Sequence, residues 1–161
     1  MTTRFENTGE RLNSFSDIFY VRCPQCSQCA TIRKIEREMA HGYSFREVSG
    51  PNNWIGIETY ARIICTNCGR LKDLCTNGLA YGNPTDWYFD LPLWFQTSCC
   101  GKTLWAYNRP HLAYLKRYIE ADLRDECPSP NTGLARYLPQ WMKSAKNRDE
   151  VLRGIEKLMQ A

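Results

Sequence analysis

The sequence predicts an α+β fold, in which an N-terminal antiparallel β unit and an aromatic-rich β-hairpin precede a C-terminal bundle of two to three helices. Three observations support this fold class. Two Cys-x-x-Cys motifs adjoin strand-like runs, aromatic residues are dense between positions 87 and 107, and helical periodicity begins only after position 107. We therefore expect a β part over residues 1–107 and a helical part over residues 108–161, packed together as one compact unit.

Three runs in the N-terminal half are rich in the β-branched and aromatic residues that favour strands. They are Phe15–Val21, Ala30–Ile35 and Ile57–Ile64. The second and third runs are expected to pair antiparallel, which would bring the two Cys-x-x-Cys motifs to one end of the sheet. An insertion over 36–53 separates them and ends in a turn-rich tip at 49–53, just before Trp54.

The two motifs are Cys23-Pro-Gln-Cys26 and Cys65-Thr-Asn-Cys68, and Gly69 follows the second. One Cys-x-x-Cys alone fits a redox dithiol or half a metal site, whereas two such pairs beside strands indicate one tetrahedral zinc ion held by four thiolates. The predicted ligands of this single structural Zn²⁺ are Cys23, Cys26, Cys65 and Cys68. The β unit is thus expected to be zinc-ribbon-like, with an insertion elaborating the 38 residues between the motifs.

Five more cysteines bring the total to nine, so a complete set of intramolecular disulfides is impossible. They are Cys29, Cys75, Cys99, Cys100 and Cys127. Cys29 continues the three-residue spacing of the first motif and could replace one of its ligands. The other four, with His111, could in principle build a second site, but their spacing matches no known ligand pattern, and a packed thiol is the expectation for each.

The localisation expected from the sequence is cytoplasmic. The N-terminus carries charges of both signs without an apolar segment, which is unlike a signal peptide, and no run of about 18 apolar residues could span a membrane. Reduced thiols that bind metal or lie buried are typical of a reducing compartment.

Seven aromatic residues lie within the 21 positions from Trp87 to Tyr107. Leu93–Thr97 and 102–107 are predicted strands, and the turn between them contains Gly101, which supplies the positive φ that such turns require. Aromatic and basic residues together can form a base-stacking platform, but only Lys102 falls among these rings. We therefore expect them to form the hydrophobic core, with Trp94 and Trp105 included.

The helical part starts at Asn108, a predicted N-cap followed by Pro110. Its apolar stripe is Leu112, Leu115, Ile119 and Leu123. A short helical piece is expected over 133–138, continuing over 141–145. Asn147 and Glu150 form a capping-box pattern at the start of the last helix.

The net charge of +4 arises entirely after residue 100. Residues 1–100 hold 10 basic and 10 acidic side chains, and residues 101–161 hold 11 and 7. A basic segment can be a nucleic-acid footprint, but these basic residues alternate with acidic ones, as they do on solvated helix faces.

The sequence contains no recognisable catalytic constellation, and we expect no enzymatic activity. The two histidines, His41 and His111, belong to no hydrolase or metalloprotease motif. Asp86 and Asp90 flank a tryptophan-rich run and are expected to be turn and cap residues. Four thiolates would also close the coordination of a zinc ion, which is typical of structural sites.

The order of motifs over roughly residues 20–160 resembles a group of small, mostly uncharacterised bacterial zinc-ribbon proteins. The residues that carry the resemblance follow the Cys-x-x-Cys pairs and are Asp86–Trp94, Cys99–Asn108, His111–Leu115 and Tyr118–Arg124. Some small proteins of this kind look like immunity partners of polymorphic toxins, which they bind and block. Residue by residue, the resemblance carries over only the zinc ligands Cys23, Cys26, Cys65 and Cys68, and it identifies no inhibitory residue.

Two functions follow as hypotheses. The first is a zinc-stabilised protein-binding module, most concretely an inhibitor or immunity protein whose partner is a toxin encoded nearby. The alternative is a zinc-ribbon regulator that binds nucleic acid, which the basic C-terminal part would favour. The first fits a chain of mixed charge without a catalytic motif.

Overall fold

The computed structural model describes residues 2–35, 59–76, 83–125 and 133–161. The strands within them are β1 (Arg4–Phe5), β2 (Ile18–Arg22), β3 (Cys29–Ile35), β4 (Thr59–Ile64), β5 (Leu71–Thr76), β6 (Phe95–Cys99), β7 (Lys102–Ala106) and β8 (Leu123–Arg124). The α-helices are α1 (Arg109–Glu120), α2 (Leu134–Tyr137), α3 (Gln140–Lys143) and α4 (Arg148–Met159), and short 3₁₀ turns cover Leu12–Phe15 and Ala145–Asn147. Antiparallel sheets together with helices confirm the predicted α+β class.

The largest sheet has four strands in the order β2-β3-β4-β5, and every neighbouring pair is antiparallel. Buried and more exposed side chains alternate along β2 and β3, because side chains two residues apart point to the same side of a sheet. Ile32 on β3 lies opposite Ile63 on β4, and both are buried. The β3–β4 pairing is the predicted one, whereas β5 was not predicted from the sequence.

The β6–β7 hairpin is connected by a two-residue turn at Cys100 and Gly101, with φ angles of 51° and 68°. Its first strand begins at Phe95, two residues later than the sequence suggests. Leu93 instead forms a bridge with Val21 of β2, and the Trp94 N–H donates to the Tyr20 carbonyl at 2.7 Å. These contacts attach the hairpin to the four-stranded sheet.

Helix α1 starts where the sequence predicts, since the Asn108 side chain accepts the His111 N–H at 3.0 Å. It ends at Glu120, before the last residue of the predicted apolar stripe. Leu123 lies instead on β8, pairs in parallel with Arg4 of β1 and is 56% exposed. The prediction that α1 continues to Leu123 was wrong because β1 pairs with Leu123 and Arg124. The Thr3 N–H also donates to the Asp122 carboxylate at 3.0 Å.

Helix α4 packs against α1 and β6. Its predicted capping box does not form. The Asn147 side chain makes no cap hydrogen bond and donates instead to the Trp141 carbonyl at 2.8 Å. The Glu150 carboxylate accepts the Cys100 N–H at 2.6 Å, so tertiary contact with the hairpin turn replaces the local cap.

One hydrophobic cluster includes residues from the large sheet, the hairpin, α1 and α4. Phe95, Leu104 and Tyr107 are at most 1% exposed, whereas Trp94 and Trp105 are half-buried and pack against the cluster from outside. Two of the five tryptophans thus contribute less to the core than the sequence suggests. In the described part of the chain, no helix combines the length and the apolar character needed to cross a bilayer.

Some sequence predictions concern residues outside the described ranges. They are the 36–53 insertion with its tip, His41, Trp54 and Cys127.

Candidate metal centre

Two matching backbone turns hold the Cys-x-x-Cys motifs at one end of the four-stranded sheet. In each turn, the N–H four residues after the first cysteine donates to that cysteine's carbonyl: Ser27 to Cys23 and Gly69 to Cys65, both at 2.9 Å. Ser27 and Gly69 also share a positive φ, at 61° and 73°. Glycine adopts this conformation freely at the second turn, whereas serine adopts it less readily at the first.

The two turns bring four thiols together. The Sγ atoms of the predicted ligands all lie within 4.8 Å of one another. Cys23 and Cys68 are 3.7 Å apart and Cys26 and Cys65 are 3.6 Å apart, so each close pair joins one turn to the other. A tetrahedron with Zn–S bonds of ~2.3 Å has S···S edges of ~3.8 Å. The observed separations are therefore compatible with four thiolates around one metal ion.

Burial differs between the first and second cysteine of each motif. Cys23 and Cys65 are 1% exposed, whereas Cys26 and Cys68 are half-buried. An ion held by the four sulfurs would thus be covered by protein on the sheet side and approachable from the side of Cys26 and Cys68.

The thiol pKa values show how the group responds to negative charge. A hydrogen bond from the Gln28 backbone, assisted by Asn67, lowers the pKa of Cys26 to about 6. For Cys68, the Arg70 backbone also lowers the pKa, but burial and the neighbouring thiols outweigh it and raise the pKa to about 12. At Cys23, burial is outweighed by hydrogen bonds from the Cys26 and Gln25 backbone, and the pKa is lowered. The group thus stabilises the thiolates of Cys23 and Cys26 and opposes that of Cys68. A cation would remove that opposition, so metal binding should release protons.

Cys29 is not a member of this group, although it follows the first motif at the same spacing. Its carbonyl lies 3.9 Å from the Cys65 Sγ, and burial raises the pKa of its own thiol. The strand geometry explains the difference, because Cys29 is already the first residue of β3 and pairs with Arg22. Cys75 lies on β5, where its backbone pairs with Tyr60.

A second group of possible ligands contains Cys99, Cys100 and Glu150. Burial, followed by the proximity of Cys100 and Glu150, raises the pKa of Cys99 to about 12. The sequence pointed to the vicinal cysteines but not to Glu150, which comes from α4 and was assigned to a helix cap. His111 belongs to neither group: its ring stacks on Phe15 at 4.9 Å between centroids, within the aromatic core.

Comparisons of this chain with protein-family models, with curated proteins and with solved structures found no match. The resemblance to small bacterial zinc-ribbon proteins therefore stays a prediction, and functional inference depends on the residues themselves.

Proposed function

We propose that this chain is a zinc-stabilised protein-binding module, in which Cys23, Cys26, Cys65 and Cys68 hold one structural Zn²⁺ in a zinc-ribbon-like end. The observation that carries the proposal is the group of four thiols contributed by two equivalent turns. Four sulfur ligands at separations that fit a tetrahedron favour zinc or iron, and zinc is the usual ion of structural Cys₄ sites in zinc ribbons.

The zinc would act as a cross-link between the β2–β3 and β4–β5 turns. Each turn supplies two ligands, so the ion would fix the ends of all four strands relative to one another. With four protein donors, its coordination would be complete, which leaves it without a position for substrate.

An exposed apolar pair beside the cysteines supports a role in protein binding. Ile64 precedes Cys65, and Leu71 follows the second turn; the two residues are opposite each other on β4 and β5. Leu71 is 61% exposed and Ile64 is 37% exposed. Apolar residues presented together at one end of a sheet are suited to the centre of an interface, where they lose water on association.

The partner we propose is a toxin encoded nearby, which this chain would bind and block as an inhibitor or immunity protein. This step rests on the resemblance in motif order and on the mixed charge of the chain, and the exposed pair supplies the contact surface.

The alternative function, a nucleic-acid-binding regulator, would depend on the basic C-terminal residues. Several of them are paired with acidic side chains within the protein: Arg148 lies 3.2 Å from Asp122, and Lys116 lies 3.5 Å from both Glu120 and Glu156. Such contacts reduce the positive charge available to phosphates, so we favour the protein partner.

Co-expression of the chain with the neighbouring gene product tests the proposal. We expect rescue of growth and a one-to-one complex that survives moderate salt on gel filtration. Leu71→Glu should weaken that complex, whereas Leu123→Glu is a matched control, because Leu123 is similarly exposed but lies on β8. Equal growth with and without the chain, together with salt-sensitive duplex binding, would favour the regulator instead.

A further inference from the structure

The hairpin turn and α4 bring together a second set of metal-ligating side chains. The ligand atoms of Cys99, Cys100 and Glu150 all lie within 4.8 Å of one another. The two Sγ atoms are 3.7 Å apart, close to the ~3.8 Å edge expected for a tetrahedral zinc thiolate. Glu150 is 50 residues away in sequence, so this arrangement is a product of the tertiary fold.

The backbone of Cys100 is held in a conformation that cysteine rarely adopts. Both residues of the two-residue turn have positive φ, at 51° for Cys100 and 68° for Gly101. Asn, Asp or Gly is usual at the first position of such a turn, because a left-handed conformation costs other residues about 1–2 kcal/mol. An unfavourable backbone conformation retained at a cysteine is a reason to look for a function of that thiol.

Glu150 holds this turn with one carboxylate oxygen and keeps the other oxygen available as a metal ligand. One of its oxygens, Oε1, accepts the Cys100 N–H at 2.6 Å, which leaves Oε2 as a possible ligand. Helix α4 approaches the hairpin closely here: a Cβ added to Gly154 would lie 2.9 Å from Leu104 Cδ2 and 3.7 Å from Cys99 Sγ. The glycine therefore allows the helix to hold its carboxylate against the vicinal thiols.

We propose that Cys99, Cys100 and Glu150 form a second metal site, which takes a thiophilic divalent cation such as Zn²⁺. Two thiolates and a carboxylate are all established zinc ligands. Cys99 is buried, Cys100 is half-buried and Glu150 is exposed, so the ion can enter from solvent. Three protein ligands leave a position for water or an external ligand, and the site should bind zinc more weakly than the four-cysteine centre.

Zinc titration of the full chain under reducing conditions tests this proposal. We expect two equivalents of zinc per chain, with the weaker one removed first by a competing chelator. Glu150→Gln retains an oxygen that can accept the Cys100 N–H, and Cys100→Ser removes one thiol. Each should weaken the second equivalent by at least about tenfold, the scale on which even outer partners alter metal affinity. Asp149→Asn changes the neighbouring exposed acid and should leave both equivalents unchanged.

Cobalt substitution gives a second measurement. Absorption from cobalt–thiolate bonds should reflect six such bonds in the unchanged chain and only those of the four-cysteine centre once Cys99 and Cys100 are both replaced by Ser. A single equivalent that Cys65→Ser abolishes, or a second equivalent insensitive to both Cys100→Ser and Glu150→Gln, would overturn the second site and leave the four-cysteine centre standing. Chains that bind no metal would overturn both sites.

Discussion

Two regions of the molecule, the cysteine end of the four-stranded sheet and the β6–β7 hairpin, differ in how their apolar side chains are buried. Cys23 and Cys65 are buried, but the neighbouring Leu71 is 61% exposed. In the hairpin, Phe95 and Leu104 are at most 1% exposed. The hairpin region gains its stability from apolar surface removed from water, and α1 and α4 cover it. The cysteine end also has buried apolar residues, such as Val21 and Ile63 at no more than 1% exposed, but it gathers four thiols whose negative charges would oppose one another. With the proposed zinc at the four cysteines, the comparison predicts that the cysteine end depends on a metal ion for its stability and that the hairpin region does not.

Removal of the four-cysteine centre should give the largest effect and separates the two regions most directly. Cys65→Ser is expected to lose the zinc, unfold the strand ends around both turns and lower the soluble yield. Structural zinc contributes about 10–16 kcal/mol to the folding of small zinc-finger peptides, so its loss should exceed the effect of any single truncation in the core. Elemental analysis and amide hydrogen exchange measure the two consequences.

Cys29→Ser is the matched control for this change. Cys29 lies on β3 near the centre but outside the group of four thiols. The Cys29→Ser protein should retain one zinc at the four-cysteine centre and normal amide hydrogen exchange at both Cys-x-x-Cys turns. A Cys65→Ser protein that keeps this zinc, or a soluble metal-free protein with native exchange at both turns, would contradict the assignment.

Truncation of a core side chain in the hairpin should lower the stability of the fold and leave the metal content of the four-cysteine centre unchanged. Phe95→Ala is expected to destabilise the protein by about 3–5 kcal/mol, because a fully buried ring is replaced by a cavity. Zinc at the four-cysteine centre should be retained, as measured by metal content beside the denaturant midpoint. Trp94→Ala should cost less, since Trp94 is half-buried and its ring faces the Arg22 guanidinium at 5.4 Å. An equal cost for both variants would place Trp94 in the core after all.

A third change tests the junction between the regions. Asn108 caps α1 with its Oδ1, while its Nδ2 donates to the carbonyls of Phe15 at 2.6 Å and of Ile18, the first residue of β2, at 2.9 Å. Asn108→Ala removes the cap and the hydrogen bonds to a buried and a part-buried carbonyl, so we expect a loss of about 2–4 kcal/mol.

Asn147→Ala is the matched control for the junction, because Asn147 occupies the corresponding position before α4 but makes no cap hydrogen bond. It loses only a donation to the Trp141 carbonyl and should cost about 1 kcal/mol. Chemical denaturation of both variants makes the comparison. Equal losses would show that the carbonyl contacts of Asn108 add nothing.

The sequence predicted those features that depend on local chemistry. The Cys-x-x-Cys turns, the Asn108 cap and the positive φ of Gly101 each follow from residues close in the chain. Prediction failed where contacts with distant residues compete with local ones. Leu123 was predicted to continue the apolar stripe of α1 but pairs with β1, and Glu150 was predicted to cap α4 but accepts a hydrogen bond from the hairpin turn. Hydrophobic periodicity and capping patterns cannot register such competition, because they contain no information about the partner segment.

The smallest expected effect is a pH dependence that belongs to the hairpin region alone. Burial lowers the pKa of His111 to about 3, and its Nδ1 accepts the Tyr107 N–H at 3.3 Å. The unfolded chain binds a proton at His111 near pH 6.5, whereas the folded protein does not until about pH 3. The unfolded state therefore holds more protons between these values, and stability falls as the pH is lowered below 6.5, by about 1.4 kcal/mol per pH unit at most.

His111→Asn isolates this contribution, because asparagine does not titrate and can still present an oxygen to the Tyr107 N–H. The variant is expected to be less stable at pH 7 but to lose less stability than the unchanged chain between pH 6.5 and 5.5. Both proteins retain the four cysteines, so any acid release of zinc affects them alike and cancels in the difference. Denaturation midpoints measured across this range decide the matter. Parallel pH profiles for the two proteins would show that His111 titrates normally in the folded state, and the packing around it would then be looser than the structure indicates.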